Sequence, residues 1–143
     1  MQASLVLAAF ILGAPAPKDA PKKELDIVGE WTVVNQERDG KGGDYFFADT
    51  MSFTAEGKWA RTYRGKEGKN SDKYVVDTTA KPATIDLLFT KDTNVAGAYG
   101  IARLDGDTLT LCLNYSSRGR PSKFESPVGS SNMLIVLKRA KKK

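Results

Sequence analysis

Hydrophobic and polar residues alternate with a period of two along most of the chain after residue 25, which is the spacing of a half-buried β-strand. The segment 108–115 is the most regular example, because its leucines are separated by threonine, cysteine and asparagine. The same pattern predicts eight strands, at residues 27–36, 45–54, 59–64, 73–78, 84–90, 97–104, 108–115 and 133–139. No window of ten or more residues follows the 3.6-residue period of a helix, so the chain is predicted to be all-β.

Turn signals separate the predicted strands. Asp105, Gly106 and Asp107 form the clearest one, since an Asp-Gly pair between two strand patterns is typical of a tight hairpin. The longest predicted connection is a polar loop at 116–131. Short strands joined mostly by tight turns favour a single eight-stranded antiparallel up-and-down barrel, because closure leaves no exposed sheet edge. A two-sheet sandwich has the same periodicity, so the pattern alone leaves that alternative open.

The amino-terminal residues follow a different pattern. Residues 5–14 are an apolar run of ten, which is shorter than the roughly 20 residues needed to span a bilayer and is typical of the core of a secretory signal peptide. No basic residue precedes this run, and proline follows its small residues, so the cleavage site stays open. The domain organisation we predict is a signal peptide at 1–14, a Pro-rich tether at 15–24, a β-barrel at 25–139 and a basic tail at 140–143. We therefore expect an extracytoplasmic protein, periplasmic or secreted, without an integral membrane domain.

Composition narrows the possible functions. The 143 residues include no histidine and a single cysteine, which excludes imidazole-based triads, His-ligated metals, intramolecular disulfides and cysteine-based metal clusters. The net charge of +5 lies at the carboxyl-terminal end, because residues 138–143 alone carry +5 whereas residues 25–137 carry 14 basic and 15 acidic side chains. We interpret the tail as a solvated end and expect no nucleic-acid partner, since no basic face carries interleaved aromatic residues.

Several motifs together resemble a known family. Gly29, Glu30 and Trp31 match the Gly-x-Trp signature of lipocalins. Further matching motifs are Asp39-Gly40, residues 82–87, Tyr99-Gly100-Ile101, residues 104–112, and Arg120-Pro121 followed by Phe124. Over residues 27–139 the chain resembles the lipocalin-like domain of secreted planctomycete proteins, a family without an established function. The resemblance implies an up-and-down barrel and an extracytoplasmic setting. It also implies that Trp31 plugs the closed end, with Arg139 or Lys138 across its ring.

No residue stands out as catalytic or metal-binding. Cys112 lies inside a predicted strand, and without histidine no base is available to activate it, so we expect a buried structural thiol. Asp105 and Asp107 flank a turn glycine, where aspartate is favoured by turn geometry. We therefore predict a non-enzymatic protein with no cofactor and no metal.

The candidate ligand-binding residues are aromatic and basic side chains in three groups. Two groups share faces of predicted strands, and an arginine that faces the inside of a barrel beside aromatic residues would mark a cavity for an anionic amphiphile. If these faces point outward, the same residues are ordinary solvent-exposed strand positions. The third group is a basic loop able to hold a carboxylate or phosphate, with a solvated loop as the alternative. The candidates are Trp59, Arg61 and Tyr63, then Tyr99 and Arg103, then Arg118 and Arg120.

Two functions remain open from the sequence. In the first, the protein is a carrier or sensor that binds a small apolar or amphiphilic molecule inside the barrel. In the second, the barrel is filled and its surface meets a protein or envelope partner. Large side chains in the centre would favour the second, whereas the small residues of the sixth predicted strand indicate room for the first. These small residues are Gly97, Ala98, Gly100 and Ala102.

Overall fold

The computed structural model describes residues 25–42, 47–67, 72–88, 96–115 and 119–141. The predicted signal peptide and tether therefore lie outside the described residues, as do Arg118 and the last two residues of the tail. No helix within the described ranges is long and apolar enough to cross a membrane. These ranges form ten β-strands: β1 (Gly29–Arg38), β2 (Lys41–Gly42), β3 (Thr50–Phe53), β4 (Lys58–Tyr63), β5 (Lys66–Glu67), β6 (Asp72–Asp77), β7 (Ala83–Leu88), β8 (Ala96–Asp105), β9 (Thr108–Asn114) and β10 (Asn132–Arg139).

Eight of these strands form a closed antiparallel barrel. Their order is β1-β3-β4-β6-β7-β8-β9-β10, and β10 pairs again with β1. The two-residue strands β2 and β5 extend β1 and β4 as short hairpins. Closure pairs the first strand with the last and leaves the sheet without a free edge strand. The prediction of an all-β, eight-stranded antiparallel up-and-down barrel is confirmed, and the sandwich alternative is excluded.

A β-bulge in β1 changes which side chains face the interior. The pairing of β1 with β10 shifts between Val33 and Asn35. Strict alternation would point Asn35 inward, but the extra residue places Gln36 opposite the buried Ile135. The period-two pattern therefore describes β1 correctly only as far as the bulge.

Apolar side chains fill the centre of the barrel. Gly100 of β8 does not leave space, because the neighbouring strand β9 occupies it. A Cβ atom on Gly100 would lie 2.5 Å from Cδ2 of Leu113 and 2.6 Å from the carbonyl oxygen of Cys112. The largest fully buried side chains of this core are Trp31, Phe47, Phe53, Met51, Ile85, Leu87, Leu109, Leu111, Leu113, Met133 and Ile135.

One end of the barrel, which we call the Trp31 end, is crossed by residues 25–28. The indole Nε1 of Trp31 donates a hydrogen bond of 2.9 Å to the carbonyl oxygen of Ile27. Arg139 lies over the indole ring, 4.4 Å from its centroid, and donates to the carbonyl oxygens of Asp26 and Val28. Of the two cations that the family resemblance offered, it is therefore Arg139 that contacts the tryptophan.

The opposite end, which we call the Phe47 end, is closed by Phe47 and Ala48, both buried. The side-chain oxygen of Gln36 accepts a 2.7 Å hydrogen bond from the Phe47 backbone N–H. Arg61 donates a 3.0 Å hydrogen bond to the Phe47 carbonyl oxygen, and its guanidinium lies 4.5 Å from the centroid of the Phe47 ring. Inward polar side chains thus hold a short loop in the mouth of the barrel, which is why β3 begins later than the strand predicted at 45–54.

Candidate binding cleft at the Trp31 end

A cleft of about 1250 Å³ opens at the Trp31 end of the barrel. Four parts of the chain line it: the crossing segment 25–28, β6 with the following turn and the start of β7, the β8–β9 hairpin, and Arg139 at the end of β10. The cleft lies beside Trp31 but outside the filled centre. We refer to it below as the Trp31-end cleft.

Local backbone geometry explains why this end is only half covered. Gly29 has a φ of +132°, a conformation that favours glycine, and this lets the chain turn across the barrel end before β1 begins. Asp26 stabilises the crossing, since its Oδ1 accepts a 3.2 Å hydrogen bond from the Val28 N–H. The Arg139 hydrogen bonds hold the segment near β10. The ends of β6, β7 and β8 therefore remain uncovered.

The inner surface of the cleft is apolar. Val76 of β6 pairs with the buried Ile85 and Leu104 of β8 pairs with the buried Leu109, so both side chains face the barrel interior. Ile27 contributes from the crossing segment and is 2% exposed. These side chains would give an apolar ligand a surface that is shielded from water on one side.

Tyr74 joins the apolar surface to the polar rim. Its hydroxyl donates a 2.7 Å hydrogen bond to the Thr54 carbonyl oxygen. Burial raises the pKa of the phenol, and the nearby carboxylates of Asp26 and Glu56 raise it further. The group is therefore neutral over the physiological range, and it shapes the cleft without adding charge.

The rim of the cleft carries charged groups. Arg139 is engaged with Trp31 and the crossing segment, and its Nε lies 3.4 Å from Oδ1 of Asp107. Lys81, in the turn between β6 and β7, is exposed and forms no hydrogen bond or ion pair with any residue that the structure describes. An apolar surface with a polar rim suits a molecule that combines an apolar body with a polar group.

The first group of predicted site residues lies on the interior face, away from this cleft. Trp59 is buried, and its indole Nε1 is 3.4 Å from the Leu88 carbonyl oxygen. Arg61 is taken up by Phe47 at the opposite end, as described above. Tyr63, two residues further along β4, is 40% exposed. The donors of Trp59 and Arg61 are thus already engaged within the protein.

Of the other predicted residues, Tyr99, Arg103 and Arg120 lie on the outer face of the barrel, under or within residues 119–131, which we call the strap. Arg118 lies outside the described residues. Tyr99 and Arg103 alternate with inward-facing residues of β8, and the Arg103 guanidinium lies 4.4 Å from the centroid of the Phe124 ring. Arg120 is 2.7 Å from Asp86 Oδ1 and donates a 2.8 Å hydrogen bond to the Gly100 carbonyl oxygen. The structure therefore does not bring the two groups together, because the sheet lies between them.

The strap also covers Cys112. The thiol is fully buried and donates a 3.4 Å hydrogen bond to the Glu125 carbonyl oxygen. Burial raises the pKa of the thiol, and the charge of the Glu125 side chain acts in the same direction. Both effects disfavour the thiolate that nucleophilic chemistry requires. Within the described ranges, no three Cys, Asp or Glu side chains come together in a way that could hold a metal ion.

Sequence reasoning did not single out the Trp31-end cleft. Its lining includes Pro82, Ala83 and the hairpin at 104–107, but the motifs that contain these residues indicated the fold and not a binding site. Val76 and Lys81 belong to no motif. The one usable signal is the run of small residues Ala80, Pro82 and Ala83, whose short side chains leave the rim open. No family model, curated protein or solved structure matches this chain.

Proposed function

We propose that this protein is a non-enzymatic binding domain that takes a small, partly apolar molecule into the Trp31-end cleft. The observation that carries the proposal is the cleft itself, in which Ile27, Val76 and Leu104 form an apolar surface beneath a polar rim. The filled centre supports an end site over a central one. The lipocalin-like motifs of the sequence and the apolar run at 5–14 support an extracytoplasmic setting, periplasmic or secreted, for this binding.

Native mass spectrometry of the protein purified from the cells that produce it tests the proposal. We expect a discrete added mass of small-molecule size that is lost on denaturation. The variant Ala80→Trp places a large side chain on the rim of the cleft and should lose the added mass. Val128→Trp is the matched control, because Val128 lies on the strap and is 82% exposed. Equal retention of the ligand by both variants would contradict the location of the site.

A second function is favoured by the filled centre. A barrel packed with its own side chains can serve as a rigid module whose outer surface binds a protein or an envelope component. Val34 on β1 and Val75 on β6 face outward and are 54% and 53% exposed, so they are candidate contacts. Under this alternative, Val34→Lys or Val75→Lys would disrupt a complex detected by size-exclusion chromatography of cell extracts. Ala80→Trp would leave that complex intact.

A further inference from the structure

We propose that the Trp31-end cleft selects amphiphiles with an anionic head, which binds the ammonium group of Lys81 while the alkyl chain lies against Val76 and Leu104. This inference rests on the proposed function, since it specifies the class of molecule that the cleft takes. In this proposal the anionic head is bound by Lys81, which no sequence motif distinguished, and not by the predicted arginines.

The charges around the cleft support an anionic head. The charged residues that line it are Asp26, Lys81, Asp107 and Arg139. The two aspartates are partly engaged, because Asp26 accepts a hydrogen bond from the Val28 N–H and Asp107 faces Arg139. Arg139 stacks on Trp31 and donates to two backbone carbonyls. The cation left for an incoming group is therefore Lys81, which has no partner among the described residues.

The position of Lys81 sets the orientation of the ligand. Lys81 lies in the turn that follows β6, and the next residues, Pro82 and Ala83, also line the cleft. Val76 precedes the same turn and faces inward. A head group at Lys81 would thus remain at the rim, in contact with water, and the alkyl chain would run from the rim towards Leu104.

The predicted arginines are less suited to this role. Arg61 already donates to the Phe47 carbonyl oxygen, and Arg120 donates to the Gly100 carbonyl oxygen and pairs with Asp86. An anion at either position would compete with an internal partner for the guanidinium. Lys81 faces no such competition from the described residues.

The chemistry of lysine also predicts the specificity. An ammonium group acts as a mobile point charge without the planar, bidentate geometry of a guanidinium. We therefore expect the charge of the head to matter more than its shape, so that a carboxylate and a sulfate bind with similar affinity. The cleft volume of about 1250 Å³ exceeds the roughly 300–1,000 Å³ of typical ligand pockets, so it places little restriction on chain length.

Isothermal titration calorimetry with the full chain tests the inference, using ten-carbon probes below their micelle concentrations at about pH 8. We expect decanoate and decyl sulfate to bind on the order of tenfold more tightly than decanol. Decyltrimethylammonium should bind more weakly than decanol. Added salt should weaken decanoate binding and leave decanol binding unchanged, because Lys81 is exposed and its charge is screened.

Two lysine variants locate the head group. Lys81→Gln should reduce decanoate affinity to that of decanol, whereas Lys123→Gln, at an exposed strap lysine outside the cleft, should leave it unchanged. Equal binding of decanoate and decanol, or full decanoate affinity in Lys81→Gln, would overturn the assignment of Lys81 while leaving the proposed function intact. Failure of all four probes to bind would count against the proposed function itself. Thermal unfolding of both variants confirms that they fold.

Discussion

Replacing Gly100 by alanine tests whether the barrel centre is filled. The added methyl group would lie 2.5 Å from Cδ2 of Leu113 and 2.6 Å from the Cys112 carbonyl oxygen. Both distances are well below the roughly 3.5–4.0 Å of favourable carbon contacts. The Leu113 side chain can move, but the carbonyl belongs to the backbone of β9. Relieving the second contact therefore requires β8 and β9 to separate.

The change in the free energy of unfolding caused by Gly100→Ala should have opposite signs for a filled and an open centre. The φ angle of Gly100 is not in the left-handed region, so alanine brings no backbone strain. In open space the substitution would stabilise the fold by about 0.4–1 kcal/mol, because it restricts the unfolded chain. Overpacking a core costs about 1–3 kcal/mol, and we expect a net loss of about 2 kcal/mol because one of the two contacts is with backbone.

Urea unfolding followed by tryptophan fluorescence measures this change, since Trp31 and Trp59 are both buried. We expect Gly100→Ala to lower the midpoint without changing the slope m. In a Leu113→Ala background the same substitution should be less damaging but still unfavourable, because the carbonyl contact remains. A Gly100→Ala protein that is more stable than the wild type would refute the filled-centre argument.

Three further predictions concern stability. Arg139→Met should destabilise the fold by about 1–3 kcal/mol in urea unfolding, because it removes the cation–π contact with Trp31 and two hydrogen bonds to backbone. An unchanged unfolding midpoint would show that Arg139 does not stabilise the Trp31 end. Burial raises the pKa of Cys112 in the folded state above its ordinary value, so the free energy of unfolding should fall as the pH rises above about 9. Cys112→Ala should lack that part of the decrease. Equal pH profiles for the variant and the wild type would argue against a raised pKa. Arg120→Met should lower the free energy of unfolding by about 1–3 kcal/mol and speed hydrogen exchange in the strap, because it leaves Asp86 without its ion pair. Unchanged exchange would show that Arg120 does not hold the strap.

Local patterns in the sequence were enough to predict most of the strands, and they favoured closure into a barrel without excluding a sandwich. Alternation along 108–115 and the Asp105–Asp107 turn predicted β9 and its hairpin with β8, and the structure has both. The alternation also predicted that Trp31 and Val33 share a face, as they do. These features depend on neighbours within a few residues, and for that reason they can be inferred without knowledge of the fold.

The candidate site could be predicted only in its chemical type. The sequence left open whether an arginine faces the inside of the barrel beside aromatic residues. Arg61 does face inward, but it is held by Phe47 fourteen positions away in the chain. Whether a charged side chain is free depends on partners that are distant in sequence. Neither the engagement of Arg61 nor the freedom of Lys81 follows from their immediate neighbours.

The sequence by itself therefore determined that this chain alternates and turns at defined positions in an all-β fold. Only the tertiary structure decided that the sheet closes as a barrel rather than a sandwich, and which spaces remain open. The bulge at Val33–Asn35 turned Gln36 inward, β9 filled the space beside Gly100, and the crossing segment 25–28 left half of one end uncovered. Each of these outcomes depends on contacts that a segment makes with a different strand, and not on the pattern within the segment. A periodic pattern specifies the face on which a side chain lies, but close packing between strands decides how much room is left beside it.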